Sequence, residues 1–321
     1  MTTYYTGSGR IINVGRRMGN PGGEGTVFSI LGQSDMVVKI YHNSKLNRVR
    51  QEKLRSMVSN KPQKYTTLDK QSGRHVPVLA WPEEIVMRGQ DRQVCGFTMK
   101  AVDIEQAVEI HNIENAFARD ARPWTKDLGL GLRAYVARNL CFLVSQIHSV
   151  GAVIGDFNER NVLVSQSLIV CMIDCDSMQI RDSSRYYPCT VLQPGFIAPE
   201  LLDKDLNRTV RRTSSDLFSL AVHIYCLLLD RHPFRNGVYI GSGEKPPNHI
   251  LAKQGQWRGR SGGVLKIEPS QIDPRILLPQ SMMILFERAF QKGAINPSLR
   301  PSVREWEAEL RNFIGGWKSN A

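Results

Sequence analysis

The spacing of apolar residues changes near residue 101, and this change constrains the fold more than any other feature of the sequence. Up to that point, short segments alternate between apolar and polar residues, as strands do. These segments are residues 10–17, 26–31, 36–41, 85–88 and 94–100. Beyond it, apolar residues recur at steps of three and four, which is typical of amphipathic helices. The sequence therefore predicts an α+β fold, in which a small antiparallel sheet precedes a mainly helical part.

Three local patterns predict where elements begin and where the chain is exposed. Ser44 is a suitable N-cap for a helix over residues 45–57, the one helix expected within the sheet part. Ser302 and Glu305 have the spacing of a capping box and predict the start of a last helix. Residues 241–263 are rich in glycine, proline and basic side chains, so we expect an exposed loop there.

The composition is that of a water-soluble globular protein. Of the 321 residues, 41% are hydrophobic and 22% are charged, which is ordinary for that class. The longest apolar run, residues 217–229, is too short to cross a membrane, and no segment has the pattern of a secretory signal. We therefore expect a cytoplasmic protein without a membrane partner, whose six cysteines are reduced.

The net charge of +12 favours anionic partners such as nucleotide phosphates or acidic protein surfaces. Most basic residues are dispersed, and we do not expect a nucleic-acid partner. One basic cluster groups Lys204 with Arg208, Arg211 and Arg212. This cluster is either a solvated loop, which we favour, or a docking site for acidic or phosphorylated segments.

Three polar residues at characteristic intervals indicate a type of chemistry. Asp156 and Asn161 are five residues apart, and Asp174 follows thirteen residues after Asn161. They lie in loops that bracket two predicted strands, residues 162–165 and 168–173. Phosphoryl transfer from ATP needs one carboxylate to orient a hydroxyl, and an amide and a second carboxylate to hold Mg²⁺. An Asp and an Asn at this spacing also occur in many unrelated loops, so the interpretation depends on the rest of the chain.

A glycine-rich segment between two predicted strands is a candidate phosphate-binding loop. Gly22, Gly23 and Gly25 lack the Cβ atoms that would keep backbone N–H groups away from a phosphate. Asn20 stands where a first glycine would be expected, and Pro21 resembles a one-residue insertion. A Walker A loop is excluded because no Gly-Lys-Ser/Thr follows. A plain hairpin turn is the alternative.

Lys39 lies within the apolar strand that follows, where a buried charge is costly unless it is paired. The expected partner is a carboxylate on the next helix, and Glu52 fits because it follows Val49 by three residues. Glu24 and the pair Glu83–Glu84 are less favoured, since neither lies on that helix. The alternative is a lysine at a sheet edge that reaches solvent.

Taken in order, these parts resemble those of the protein-kinase superfamily. Residues 198–200 match the Ala-Pro-Glu that ends the kinase activation segment. Asp216 resembles the helix aspartate that anchors the catalytic loop, and Arg300 resembles the arginine that pairs with the glutamate of that motif, Glu200. The match covers nearly the whole chain. Within the superfamily, the chain is similar to bacterial eukaryotic-like Ser/Thr kinases, in particular to the YegI-like and TerY-associated branch.

The resemblance implies a bilobal kinase fold with ATP and Mg²⁺ as cofactors. The N-lobe would span residues 1–101, the C-lobe residues 102–315 and a short tail residues 316–321. Met99 resembles the gatekeeper residue at the back of the adenine pocket. The ATP-binding residues implied are Gly22, Gly23, Gly25, Val27, Val37, Lys39, Met99, Lys100, Val102 and Leu163.

The resemblance also implies a role for each polar residue of the site. Asp156 would orient the acceptor hydroxyl, and Asn161 and Asp174 would hold Mg²⁺. Lys39, positioned by Glu52, would hold the phosphates of ATP. Catalysis would then consist of positioning and charge stabilisation.

The catalytic loop departs from the family pattern at several positions. The family's His-Arg is Ile154-Gly155 here, which removes the usual acceptor for a phosphate on the activation segment. We therefore predict that activity does not require phosphorylation of the hydroxyl residues of this segment, which are Ser183, Ser184, Tyr186, Tyr187 and Thr190. Asn158 replaces the family's lysine. Arg160 is either a surface arginine or the residue that supplies the missing positive charge.

The metal loop reads Asp174-Cys175-Asp176 where the family has Asp-Phe-Gly. The metal ligand is kept, and Cys175 is smaller than the phenylalanine that it replaces. Asp176 is an additional acid next to the metal site. We expect its side chain to face solvent or to cap the backbone.

The function implied is transfer of the γ-phosphate of ATP to a protein hydroxyl, with Ser/Thr favoured over Tyr, autophosphorylation, and a role in bacterial signalling. The resemblance further implies a protein substrate, acidic ones included, and a partner phosphatase or von Willebrand-type domain protein. Two alternatives stay open. A nucleotide-binding pseudokinase scaffold is favoured by the altered catalytic-loop flanks. A small-molecule kinase of the aminoglycoside-phosphotransferase type is opposed by Glu200, Asp216 and Arg300.

Overall fold

Seven strands among the first hundred residues form one antiparallel sheet. The computed structural model describes residues 3–20, 22–90, 92–183, 185–235, 237–269 and 271–319, so Pro21, Ser184 and the last two residues of the predicted tail lie outside it. In spatial order the strands are β2 (Ile11–Ile12), β1 (Tyr4–Thr6), β8 (Glu84–Arg88), β9 (Gln93–Lys100), β5 (Gln33–Tyr41), β4 (Gly25–Ile30) and β3 (Val14–Met18). Helix α1 (Arg48–Ser59) follows β5, and a separate hairpin of β6 (Thr66–Asp69) and β7 (Arg74–Pro77) follows α1.

Strand β5 shows how the sheet divides its two faces. Val38 is fully buried and packs on one face against an apolar cluster formed by Ile12, Ile30, Val86 and Cys95. Its neighbours Val37 and Lys39 point to the opposite face, because side chains alternate along a strand. Both line a cleft between the sheet and the rest of the chain.

The rest of the described chain is mainly helical. Its helices are α2 (His111–Glu114), α3 (Pro123–Lys126), α4 (Leu130–Ser149), α5 (Thr213–Leu229), α6 (Asn248–Lys253), α7 (Pro274–Leu277), α8 (Gln280–Glu287), α9 (Gly293–Ile295) and α10 (Val303–Ser319). A π-helical turn, Arg288–Lys292, joins α8 to α9. Helix α4 packs against both α5 and α10. Around them, Tyr225, Trp257, Phe286 and Phe290 form a buried aromatic cluster.

Short strands carry the loops of the site. Three of them form a small sheet in the order β10 (Val108–Glu109), β11 (Val162–Val164) and β12 (Val170–Met172). Two further pairs are β13 (Ile180–Arg181) with β14 (Tyr186–Tyr187), and β15 (Val238–Tyr239) with β16 (Leu265–Lys266). The loop before β11 contains Asp156, and the loop after β12 contains Asp174.

Backbone hydrogen bonds contribute to the connection between the two halves. The N–H of Met172 donates to Val78 O at 3.0 Å, and the N–H of Ala80 donates to Met172 O at 2.9 Å. The indole N–H of Trp81 donates to Met57 O at 2.9 Å, which ties the end of α1 to the same segment. These bonds fix α1 and the loop after β12 relative to each other. No described helix is both long enough and apolar enough to span a membrane.

The structure corrects two local predictions and confirms a third. Helix α1 is capped by Asn47, whose Oδ1 accepts from Arg50 N at 2.9 Å, and not by Ser44. The segment 241–263 is not simply an exposed loop, because it contains α6 and the buried Trp257. The capping box is confirmed, since Ser302 N donates to Glu305 Oε2 at 2.8 Å.

Candidate active site

A cleft of about 480 Å³ lies between the sheet and the helical half. Among the described residues that line it are nearly all of the predicted site residues: Gly22, Gly23, Gly25, Val27, Val37, Lys39, Met99, Lys100, Val102, Asp156, Asn161 and Asp174. Of the residues predicted to act in catalysis or to bind ATP or metal, three do not line it, namely Leu163, Glu52 and Arg160. Leu163 is buried within β11, and Arg160 is exposed.

One part of the cleft is apolar. Its walls include Val27, Val37 and Met99 from the sheet and Ile104 and Ile173 from the other half. Apolar walls on two sides are what a planar aromatic base requires, because such surfaces bury its faces. This part of the cleft therefore suits the base of a nucleotide.

The glycine-rich loop covers the cleft in a conformation fixed by its neighbours. A Cβ at Gly25 would lie 2.5 Å from the carbonyl oxygen of Ile40, so no larger residue fits beside β5. The N–H of Gly22 donates to Gly25 O at 3.0 Å. Glu24 forms an ion pair at 2.5 Å with Arg50 of α1. The loop is thus linked to α1, and the lack of a side chain at Gly25 is required by packing against β5.

The catalytic loop is held in place by Asp216, as predicted. The Oδ2 atom of Asp216 accepts from Ile154 N at 2.8 Å, and its Oδ1 accepts from Gly155 N at 3.1 Å. His148 lies 2.8 Å from the same carboxylate. Because Asp216 is buried in the first turn of α5, the loop backbone before Asp156 is attached to the helical core.

Within the loop, the amide of Asn161 contacts Asp156. Asn161 Nδ2 donates to the carbonyl oxygen and to Oδ2 of Asp156, both at 3.2 Å. Asn158, which stands where the family has a lysine, accepts at its Oδ1 from Arg160 N at 2.9 Å and from Asn161 N at 3.2 Å. Asn158 therefore stabilises the turn and contributes no positive charge.

Gly155 has a backbone conformation and surroundings that exclude a side chain. Its φ is +71°, and a Cβ there would lie 2.6 Å from Arg211 Nη1 and 2.8 Å from Cys189 Sγ. Arg211 is buried, its Nη2 donates to Val191 O at 2.6 Å, and its backbone N donates to Gln179 Oε1 at 2.8 Å. The interpretation of the basic cluster as solvated surface is therefore wrong for Arg211.

Lys39 is paired with the metal loop and not with α1. Its Nζ donates to Asp174 Oδ1 at 3.0 Å and to Asp176 Oδ1 and Oδ2 at 2.9 and 3.0 Å. Tyr41 Oη donates to Asp176 Oδ2 at 2.5 Å. Asp176 is buried, so the expectation that it faces solvent is wrong. Two donor groups, the Lys39 ammonium and the Tyr41 hydroxyl, thus make three hydrogen bonds to a carboxylate that the family pattern lacks.

The charges of this group stabilise one another. Burial disfavours the charged form of Lys39, but the carboxylates of Asp176 and Asp174 outweigh it, and the pKa of Lys39 is raised. Burial likewise disfavours the charged form of Asp176, yet the Lys39 ammonium and the Tyr41 hydroxyl hold the pKa of Asp176 below its ordinary value. Burial, and then the charge of Asp176, raise the pKa of Tyr41. Lys39 and Asp176 are therefore both ionised at neutral pH.

Glu52 does not line the cleft and is bound by two arginines, so the predicted pairing with Lys39 is wrong. Its carboxylate accepts from Arg48 Nε at 2.9 Å and forms an ion pair with Arg185 of the activation segment. The phase of the helix explains the error, because Val49 is 48% exposed and does not mark the buried face. Lys53 occupies that buried face instead.

The carboxylate of Asp174 is accessible from the cleft. Its side chain is 55% exposed, and it lines the same cleft as Asn161 and Asp156. One carboxylate and one amide fit Mg²⁺, which is commonly bound by one or two carboxylates with the remaining ligands from substrate phosphates and water. No group of three or more His, Cys, Asp or Glu residues in the described chain forms a metal site by itself.

The last predicted pair, Arg300 with Glu200, lies at the end of the activation segment. Arg300 Nη1 and Nη2 donate to Glu200 Oε1 and Oε2 at 2.7 and 2.6 Å, a bidentate contact. Arg300 also donates to Gly293 O at 3.0 Å and to Ser214 O at 2.7 Å. The predicted pairing of Arg300 with Glu200 is confirmed, and it fixes the end of the activation segment to α5 and α9.

The sequence interpretation missed the roles of Asp176, Lys53 and Arg50 in lining or organising the cleft. For the two α1 residues a signal was present. Lys53 precedes Met57 by four residues and follows Arg50 by three, so the three share one helix face, and Met57 is fully buried. For Asp176 no local pattern distinguishes burial from exposure.

Comparison with known proteins shows which proteins this chain is similar to. No protein-family model matches the chain. Protein kinase YegI of Escherichia coli O157:H7 is 31% identical over 318 residues, which cover 96% of this chain and 46% of that protein. YegI of strain K12 is 31% identical over 316 residues, 95% of this chain and 45% of that protein. A probable serine/threonine-protein kinase of Dictyostelium discoideum is 28% identical over 209 residues, 65% of this chain and 26% of that protein.

The chain spans less than half the length of the YegI proteins that it matches. Among solved structures, the ROP18 kinase domain in complex with AMP-PNP and sucrose superimposes with a TM-score of 0.60 and 16% sequence identity. The superposition covers 99% of this chain and 86% of that one, which shows the bilobal kinase fold. Given this fold and the similarity to bacterial kinases along nearly its whole length, the chain belongs to the protein-kinase superfamily.

Proposed function

We propose that this protein is an ATP- and Mg²⁺-dependent protein kinase that transfers the γ-phosphate to a serine or threonine hydroxyl. One observation carries the proposal: Asp156, Asn161, Asp174 and Lys39 converge in a single cleft. A carboxylate contacts the amide beside it, and a second carboxylate contacts the lysine. These are the parts that phosphoryl transfer requires.

The residues of the cleft divide the chemistry among them. The acceptor oxygen forms a bond to the γ-phosphorus while the bond from that phosphorus to the bridging oxygen breaks, and ADP leaves. Asp156 orients the acceptor hydroxyl and takes its proton. Lys39 holds the α- and β-phosphates, positioned by Asp176. Asn161 and Asp174 would hold Mg²⁺, whose charge, when it is bound, neutralises the phosphate oxygens.

A protein acceptor is favoured over a small molecule because the end of the activation segment is rigidly mounted. The Glu200–Arg300 pair and the Asp216 contacts provide a fixed surface beside the catalytic loop. Among residues of the chain itself, Thr190 is exposed and lines the cleft. Thr190 is therefore the first candidate for autophosphorylation.

The proposal is tested with γ-labelled ATP, Mg²⁺ and a generic protein substrate. We expect label on the protein and on the substrate, recovered as phosphoserine or phosphothreonine. Asp156→Asn and Asp174→Asn should each lower the rate at least about 100-fold. Asp203→Asn is a matched control, because its exposed carboxylate pairs only with Lys253 among the described residues. Nucleotide binding without transfer would favour a scaffold, and transfer that survives Asp156→Asn would contradict the assigned roles.

A further inference from the structure

A second lysine, Lys53, faces the same cleft from α1. It is buried, it lines the cleft together with Lys39 and Arg50, and the titratable groups that act on its charge are Cys189, Asp176, Arg50 and Glu24. Burial lowers the pKa of Lys53 to about 8. Among the described residues, the ion pairs made by the basic side chains of α1 join Arg48 to Glu52 and Arg50 to Glu24, and none of them includes Lys53.

A largely buried cation without a bonded carboxylate is costly, because burial removes most of the water that would solvate its charge. The carboxylates near Lys53 are already used. Asp176 is bound by Lys39 and Tyr41, and Glu24 is bound by Arg50. The ammonium of Lys53 is therefore free to receive an anion that enters the cleft.

The catalytic loop leaves a position for such a cation unfilled. Asn158 caps the loop turn, and the Arg160 side chain is exposed and outside the cleft. The three remaining cationic side chains that line the cleft are engaged, Lys39 with two carboxylates, Arg50 with Glu24 and Lys100 with Asp35. Lys53 is the buried lysine of the cleft without a bonded partner in the described chain.

We propose that Lys53 binds the β- and γ-phosphates of ATP and supplies the positive charge that the catalytic loop lacks. The inference rests on the proposed function. It requires that α1 turn a cation, and not a carboxylate, toward the cleft. That arrangement is open to this chain because Asp176 pairs with Lys39 from the metal loop.

The test compares the binding of ATP, ADP and adenosine by calorimetry in the presence of Mg²⁺. Lys53→Met removes the charge and keeps the length of the side chain, Lys53→Arg keeps the charge, and Lys64→Met is a matched control at an exposed position. We expect Lys53→Met to weaken ATP and ADP binding about tenfold or more and to leave adenosine binding unchanged within about twofold. Lys53→Arg should restore part of the ATP affinity.

Folding of the variant is checked by thermal unfolding without nucleotide. The midpoint of Lys53→Met should be equal to or higher than that of the wild type, because the variant buries no unpaired charge. If the wild type binds ATP and Lys53→Met binds it with unchanged affinity, the inference about Lys53 is wrong while the proposed function stands. The same conclusion follows if Lys53→Met loses affinity for ATP and for adenosine equally. A wild type that binds no nucleotide overturns the proposed function and this inference with it.

Discussion

The pairing of Lys39 with Asp176 predicts that the acid essential to this site lies in the metal loop and not on α1. Asp176→Asn keeps the shape of the side chain and removes its charge. Lys39 would then keep only Asp174, which is half exposed, as a charged partner. The matched change is Glu52→Gln, which removes a carboxylate whose partners, Arg48 and Arg185, lie at the surface.

The size of each effect follows from burial. Breaking a buried ion pair costs about 3–5 kcal/mol, and because Asp174 remains, we expect about 3 kcal/mol for Asp176→Asn. Exposed pairs contribute about 0–1 kcal/mol, so Glu52→Gln should lower the free energy of unfolding by no more than that. The two variants should therefore differ by about 2 kcal/mol or more, with Asp176→Asn the less stable.

Urea unfolding of both variants and the wild type measures this difference. The pH dependence provides a second measurement. Because the pKa of Asp176 is lowered in the folded protein, its contribution is present above the ordinary value of 3.8 and is lost as the pH falls below it. The acid-induced loss of stability should thus be shallower in Asp176→Asn. Equal stabilities of the two variants, or a larger loss in Glu52→Gln, would refute the reasoning.

Three further predictions address the frame of the site. Arg300→Met should lower the free energy of unfolding by about 3 kcal/mol, because Glu200 loses a bidentate partner; a change below about 1 kcal/mol in urea unfolding would contradict this. Burial lowers the pKa of His232 to about 3, so stability should fall as the pH drops from about 6.5 toward 3, and His232→Gln should flatten that slope. Activity on an added substrate should survive replacement of all hydroxyls in the activation segment, because Arg185 and Arg211 already hold the segment. The variant for this last prediction carries Ala or Phe in place of Ser183, Ser184, Tyr186, Tyr187 and Thr190. Loss of its basal activity would contradict the prediction.

The fold could be predicted from the sequence because the patterns that indicate its strands and helices are local. The strand residues of β4, β5, β8 and β9 alternate, and the apolar residues of α4 recur at helical steps. The contacts of Asp216 and of Arg300 were accessible too, since they belong to motifs with fixed spacing. The short strand β1 and the β6–β7 hairpin carry too few apolar residues to be recognised from periodicity.

The charge pairing of the cleft could not be predicted in the same way. Whether Lys39 meets Glu52 or Asp176 depends on the rotation of α1 about its axis, which is fixed by the burial of Leu54 and Met57. It also depends on the loop after β12, where Asp174 has a φ of +55° and the next residues turn inward. Both are tertiary properties. The partner carboxylate is 137 residues away from Lys39 along the chain.

The contact between Gly155 and Arg211 makes two distant positions interdependent during evolution. An arginine at position 155 and the guanidinium of Arg211 would occupy the same space, since even a Cβ at residue 155 would lie 2.6 Å from Nη1. A homologue that carries the family's arginine at the first position should therefore have a smaller residue at the second. In this chain the cation therefore lies in the segment before α5 and not in the catalytic loop. Across an alignment, an arginine at position 155 and an arginine at position 211 should rarely occur in the same sequence.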